Sequence, residues 1–236
     1  MLAFDIETYA EWGSLSPALR DYLEARDQAR GIAPDQRRAA AQSASLLPGV
    51  ARVIAIGLWG GDPGQERLGL SLDPTLEVVE REEQSEGWVR RCFREEADLL
   101  RSFWSLAGEA TLAGRKLVSF NGRGFDGPML SLRSAVLGVP PSVALVGPRE
   151  RHTPHTDLVE LLGFGGARRE RYTFAYWCEV FGVLSPKQEL NGAAVGGAFE
   201  RGEHEAIARY ALEDARATGE LYQRLDSTLV PLLGVE

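Results

Sequence analysis

The stretch Leu2-Ala3-Phe4-Asp5-Ile6-Glu7-Thr8 decides how this chain is read, because it sets an acidic pair inside what is otherwise a buried strand. Residues two apart on a strand face the same side, so Asp5 and Glu7 project together while Phe4 and Ile6 point the other way. Two such carboxylates repel each other and raise one another's pKa unless a cation lies between them. An all-oxygen ligand set sharing one site suits Mg²⁺ or Mn²⁺ rather than zinc. A D-x-E pattern is common, so its weight depends on what the rest of the chain brings to it.

The 236 residues bound the answer to one substantial α/β domain, expected to span residues 1–236. A composition of 44% hydrophobic and 25% charged residues is that of an ordinary soluble globular protein. No apolar run approaches the length of a membrane span, and the N-terminus lacks the basic start and apolar core of a signal peptide, so the expected location is cytoplasmic with no membrane partner. Cys92 and Cys178 are the only cysteines and have no C-x-x-C spacing. That excludes a disulfide framework or a zinc site and makes both packing residues. A net charge of −8 and a pI near 5.1 argue against a broad basic groove gripping many phosphates. A nucleic-acid enzyme stays open, since carboxylates gathered around metal ions add to the negative count and the bound ions reverse the local potential.

Beyond the first strand, residues 10–47 are expected to form a helical insertion. Ser16 caps and Pro17 opens a helix continuing from Ala18 to Arg30, with a second helix over Asp35 to about Ala41. Its role stays open between a lid, a partner-binding arm and a mobile insertion. Ala51 to Trp59, closed by Gly60-Gly61-Asp62-Pro63, reads as a strand that forms a hairpin with Arg67 to Leu72. The sheet therefore has an antiparallel part. Leu76 to Arg81 is an edge strand or loop, Glu95 to Leu106 an amphipathic helix, and Leu117 to Phe120 a buried strand.

Asn121-Gly122-Arg123-Gly124-Phe125-Asp126 then makes a Gly-rich turn into a helix from Pro128 to Leu137. Asp126 stands at a strand-to-helix junction, where open α/β sheets commonly carry functional groups; the competing reading makes it an N-cap. Residues 138–156 are expected to be loop, with His152 and His155 at its surface because no third ligand follows them at useful spacing. Asp157 caps a short helix, Arg168-Arg169-Glu170-Arg171 is a charge run, and Tyr172 to Phe181 is a helix capped by Thr173 and closed by Gly182. The last element, Glu203 to about Leu225, sets Ile207, Tyr210, Ala211, Asp214, Ala217, Thr218, Leu221 and Tyr222 along one stripe. An aspartate on a buried stripe needs a partner, and Tyr210 lies one turn before it.

Taken together, Asp5-x-Glu7, Asn121-x-x-x-Phe125-Asp126 and Tyr210-x-x-x-Asp214 resemble the three motifs of the DEDD superfamily of 3′→5′ exonucleases, in its tyrosine branch. The likeness is to proteins similar to the exonuclease domain of family B DNA polymerases, and it runs to about residue 226 with residues 10–47 least matched. The histidine branch would place His where Arg209 stands. The resemblance implies a ribonuclease H-like fold, a mixed central sheet with flanking helices. It also implies two Mg²⁺ or Mn²⁺ ions held by Asp5, Glu7, Asp126 and Asp214, with Tyr210 orienting the attacking water. A phenol of ordinary pKa ~10 positions better than it deprotonates. Thr8, Asn121, Phe125 and Lys187 fall where relatives meet substrate, Phe125 being equally readable as core packing; Arg168, Arg169 and Arg171, otherwise a solvated face, are candidates for binding the upstream strand. The implied activity is metal-dependent 3′→5′ hydrolysis of single-stranded or frayed DNA 3′ ends, releasing 5′-mononucleotides. An exoribonuclease or a non-catalytic nucleic-acid-binding module are the other readings on this fold. A nucleotide-cofactor enzyme is disfavoured, since neither a phosphate loop nor a dinucleotide fingerprint is present.

Overall fold

In the computed structural model, β1 (Leu2–Tyr9) lies inside a seven-stranded sheet ordered β4-β5-β3-β2-β1-β6-β7. Residues 1–32, 44–60, 66–85, 87–147, 154–168, 170–184, 192 and 194–232 are described. The partners are β2 (Arg52–Trp59), β3 (Arg67–Leu72), β4 (Glu80–Ser85), β5 (Trp88–Phe93), β6 (Leu117–Ser119) and β7 (His155–Asp157). β1 runs antiparallel to β2 and parallel to β6, β2 and β3 form the expected hairpin, and β3 and β5 are parallel, so the sheet is mixed. Two strands depart from the sequence reading. β5 was not foreseen, and it supplies the partner that makes β4 a true edge strand beginning at Glu80. β7 falls within the expected loop, and it buries His155 instead of exposing it.

Alternation along β1 divides the layers. Phe4 packs on Phe103 of α2 (Glu96–Leu112), with ring centroids 5.5 Å apart, and the same buried cluster takes in Met129 and Leu130 of α3 (Asp126–Leu137). Ala3, on the opposite face, packs with Leu158 of α4 (Leu158–Leu162), Cys178 of α5 (Phe174–Phe181), and Ala217 and Leu221 of α7 (His204–Asp226). Between α5 and α7 lies α6 (Val195–Glu200), whose Phe199 ring meets Tyr9 at 4.9 Å. Both cysteines are buried, as packing residues should be.

The approach of α7 to the sheet is set by glycine. In the register across three strands, Asp5 faces Gly57 and Gly57 faces Gly69. A Cβ on Gly57 would lie 2.1 Å from the Ala211 carbonyl oxygen, so only the bare backbone lets the helix axis come this close.

The insertion contributes α1 (Pro17–Ala29), capped by Ser16, whose hydroxyl accepts from the Leu19 N–H at 3.3 Å. The second expected helix, Asp35 to Ala41, lies outside the described residues. The end of the insertion returns to the end of β1, where Thr8 donates to the Ser45 carbonyl at 2.6 Å. Among the described residues no helix is long and apolar enough to cross a membrane.

Candidate active site

Strand pleat and helix pitch deliver three carboxylates to one point. Asp5 and Glu7 rise from β1 on the α7 side, and α7, resting on Gly57 through Ala211, presents Asp214 one turn further on. One carboxylate oxygen from each of Asp5, Glu7 and Asp214 lies within 4.8 Å of the others. Burial, then the charges of Asp126, Asp214 and Glu7, holds the Asp5 carboxyl well above its usual range. Burial, then Asp214 and Asp126, does the same to Glu7. Such mutual elevation is the electrostatic signature of acids assembled without enough positive charge to balance them.

Asp126 reaches this centre by a different route. β6 reaches β1 only at Leu2 and Ala3 and ends at Ser119, so it does not cover the edge of β1 beyond them. The Ile6 N–H donates there to the Asp126 carboxylate. Burial pushes the carboxyl up to about 7, opposed by the hydrogen bonds from its own N–H and that of Ile6. Asp126 stands beside the trio rather than within it, near enough for its charge to raise both Asp5 and Glu7. The N-cap reading does not apply, since Phe125 occupies the cap position and Asp126 is the first helical residue.

Tyr210 is half-buried beside Asp214 and donates its hydroxyl to that carboxylate. Burial and the charges of Asp214, Glu7 and Asp5 push its ionisation far above the ordinary phenol value. The group therefore stays protonated at neutral pH.

The turn carrying Asp126 is fixed from below by residues whose part was not legible in the sequence. Asp157 does cap α4, accepting from the Val159 N–H at 2.9 Å, but its carboxylate also accepts from the N–H groups of Asn121 and Arg123, each at 2.9 Å. Beneath the turn, His155 is buried between the Leu145 carbonyl, 2.6 Å from Nδ1, and the Ser119 hydroxyl, 2.7 Å from Nε2. A carbonyl only accepts, so Nδ1 carries the proton and Nε2 accepts from Ser119. Burial pushes the His155 pKa down to about 4 and keeps the ring neutral. Gly122 passes directly over this pair, and a Cβ there would lie 2.0 Å from Ser119 Oγ. A three-residue strand leaves little periodicity to detect; the lone glycine inside the β2 pattern was the available signal for Gly57.

The residues expected at the substrate are distributed unevenly. Asn121 is exposed in the left-handed region (φ 65°), and Phe125 is partly buried against the core beside Asp126. Thr8 is buried with its hydroxyl engaged by Ser45. Lys187, Arg169 and His152 lie outside the described residues. Arg168 sits over the Tyr172 ring at 5.0 Å, and Arg171 reaches Glu160 at 3.7 Å.

A family model described as a predicted 3′–5′ exonuclease related to the exonuclease domain of PolB matches residues 75–229. No curated protein matches the chain by sequence. Among solved structures, a family B DNA polymerase from the hyperthermophilic archaeon Pyrobaculum calidifontis superposes with a TM-score of 0.55 at 19% identity. The alignment covers 95% of this chain and 24% of the polymerase, so the chain spans about a quarter of that protein's length. The fold is ribonuclease H-like, a mixed sheet with flanking helices.

Proposed function

This chain belongs to the family of predicted 3′–5′ exonucleases related to the exonuclease domain of PolB, and from that premise we propose that it hydrolyses the terminal phosphodiester at the 3′ end of single-stranded or frayed DNA. Water adds to the terminal phosphorus, the bond to the 3′ oxygen of the preceding nucleotide breaks, and the products are a 5′-mononucleotide and a strand with a free 3′-hydroxyl. The observation that carries this reading is the convergence of Asp5, Glu7 and Asp214 from two elements distant in sequence.

The donor set fits divalent cations. It is all carboxylate, and the Asp5 and Glu7 carboxyls are raised first by burial and then by mutual repulsion, which a hard cation would relieve. Asp5, Glu7, Asp126 and Asp214 would hold two Mg²⁺ or Mn²⁺ ions, which when bound supply activation of the attacking water and stabilisation of the leaving 3′ oxygen. Tyr210 keeps its proton and donates it to Asp214, which leaves the phenol oxygen free to accept from a water and orient it. Asn121, exposed in the turn before Asp126, and the partly buried Phe125 are proposed to meet the terminal nucleotide, Phe125 by stacking on its base. Thr8 and Lys187 are proposed to contact the terminal nucleotide and its phosphate.

The test is digestion of 5′-labelled and 3′-labelled oligonucleotides of both sugars with Mg²⁺ or Mn²⁺. Stepwise shortening of DNA from its 3′ end with release of 5′-mononucleotides is expected. Preference for the ribose strand would move the assignment to an exoribonuclease, and metal-dependent binding without cleavage would move it to a binding module.

A further inference from the structure

A second group of chemistry-bearing side chains lies where the chain after α4 enters α5. The Tyr172 and Tyr176 rings stack with centroids 4.2 Å apart and planes 17° from parallel. Trp177 meets them edge-on at 5.7 and 5.2 Å. The Arg168 guanidinium lies 5.0 Å from the Tyr172 centroid and 5.7 Å from that of Trp177. Core packing does not account for the whole group. Phe174 and Trp177 are anchored on the buried cluster of Leu158, Cys178 and Leu221, while Tyr176 remains 43% exposed with Val180 at 54%. The result is a rigid base with an aromatic surface left in water, an arrangement soluble proteins use for recognition more than for stability.

Its position ties it to the acid cluster. Phe174 packs on Phe120 at 4.8 Å, and Phe120 is the residue before Asn121. Glu160, the ion-pair partner of Arg171, stands three residues after the Asp157 that holds the Asn121 and Arg123 N–H groups. Burial, then the charge of Asp214, raises the Cys178 thiol one residue beyond Trp177. The group therefore flanks the turn that carries Asp126.

We propose that Tyr172, Tyr176 and Trp177, with Arg168 held over them, form a stacking platform for bases of the single strand on the 5′ side of its terminal nucleotide. The inference rests on the nucleic-acid reading given above. Every base has a π-face, so a ring surface binds a strand without reading its sequence, and a guanidinium already seated over the rings adds a cation for the adjoining phosphate. Net charge decides which contacts could hold such a strand. A chain of net charge −8 gains little from long-range attraction to phosphates, so its grip on a strand has to come from contacts that salt screens weakly.

The experiment is equilibrium binding, by fluorescence anisotropy in EDTA, of a 5′-fluorescein thymidylate oligomer and of its abasic counterpart. Tyr176→Ala is expected to weaken thymidylate binding by about tenfold, and Tyr176→Phe to restore it, because the ring and not the hydroxyl does the stacking. The wild-type protein is expected to bind the abasic strand as weakly as Tyr176→Ala binds the normal one, with a shallow salt dependence throughout. Equal affinity of the wild type for both strands overturns the platform, as does an unchanged affinity in Tyr176→Ala or a failure of the wild type to bind. Digestion with Mg²⁺ measured alongside separates this result from the nuclease assignment. Base-dependent binding lost in Tyr176→Ala but without cleavage keeps the platform and removes the nuclease, whereas cleavage with KM unmoved by Tyr176→Ala does the reverse.

Discussion

Glu96 opens a helix packed on one face of the sheet, Asp5 projects from a strand of that sheet towards the other face, and their surroundings differ in kind. Glu96, 4% exposed at the start of α2, accepts from the Val53 N–H at 2.8 Å and from Arg133 Nε at 2.9 Å, and it makes a second contact with the same guanidinium. Its charge is matched inside the fold by a fork of donors. Asp5 is surrounded by Asp126, Asp214 and Glu7, and burial and all three charges push its carboxyl the same way. A fold able to bury an Arg–Glu pair on one face has gathered Asp5, Glu7 and Asp214 on the other, with Asp126 beside them. The first arrangement is complete without a ligand, and the second calls for a cation.

Substituting one acid from each cluster tests that difference most directly. Asp5→Ala should reduce exonuclease activity by about a thousandfold or more while leaving the metal-free protein as stable as the wild type or more so, because one member of a repelling group is gone. Glu96→Ala should do the opposite. It strands the Arg133 guanidinium and the Val53 N–H in the interior and should cost about 3–5 kcal/mol in urea unfolding, with the activity per folded molecule preserved. Loss of stability in Asp5→Ala comparable to that in Glu96→Ala would erase the distinction.

Gly57→Ala is the next largest effect, and it acts on the distance between the two halves of the acid cluster. The added methyl meets the backbone of Ala211, which cannot rotate away as a side chain can, so α7 has to shift. A cost of about 1–3 kcal/mol is expected, with a fall in activity larger than the stability loss explains, because Asp214 moves with the helix. A stable Gly57→Ala protein with wild-type kcat would show that the spacing of Asp214 from Asp5 tolerates the displacement.

Gly57 also marks how far the sequence could be read. The β1 alternation and the α7 stripe named Asp5, Glu7, Tyr210 and Asp214, because carboxylates on otherwise apolar faces conflict with the period that surrounds them. From its own segment Asp126 was legible only as a junction residue or an N-cap, and it gained a ligand role only through the motif resemblance; the Gly-rich turn announced the end of β6 to within a residue, but the contact with the Ile6 N–H lies between segments. β7 is three residues long and begins with a histidine, so neither periodicity nor composition marked it; burial of His155 is decided by Leu145 and Ser119, ten and 36 residues away. β5 was hidden by Arg90 and Arg91, whose charges are matched across the strand pair by Glu83 and Glu82. Pairing across a sheet lies between segments, and a segment-by-segment reading misses it.

Burial of these acids, and the repulsion among them, also sets a pH dependence that metal should reverse. A carboxyl raised in the folded state keeps a proton that the unfolded chain has already lost, so the metal-free protein loses stability as pH rises from about 4 to about 7, the window set by Asp126, and further where Asp5 and Glu7 follow. His155 works against this in the same range. Its lowered folded pKa removes stability as pH falls from 6.5 towards about 4. Mg²⁺ or Mn²⁺ relieves only the first effect, so the rise in Tm on adding metal should be several degrees at pH 8 and smaller at pH 5.5. Equal shifts at both values would mean that the ions bind elsewhere than at these carboxylates.

Tyr210→Phe is the smallest change and sharpens the comparison within the site itself. The hydroxyl donates to Asp214 but, as a neutral group, adds no charge to the cluster, so its removal leaves the carboxylates and their repulsion in place. Metal-dependent stabilisation should therefore match the wild type. Activity should fall by only about ten- to a hundredfold, the loss of one positioned hydrogen bond to the attacking water, and it should appear in kcat with KM unchanged. Because burial and three carboxylates keep the phenol protonated, the wild-type rate should show no inflection near the ordinary phenol pKa. A kcat equal to wild type would remove Tyr210 from the reaction. A loss as deep as that of Asp5→Ala, with the metal-dependent Tm shift abolished, would instead show that the hydroxyl serves to hold Asp214 in place for the ions.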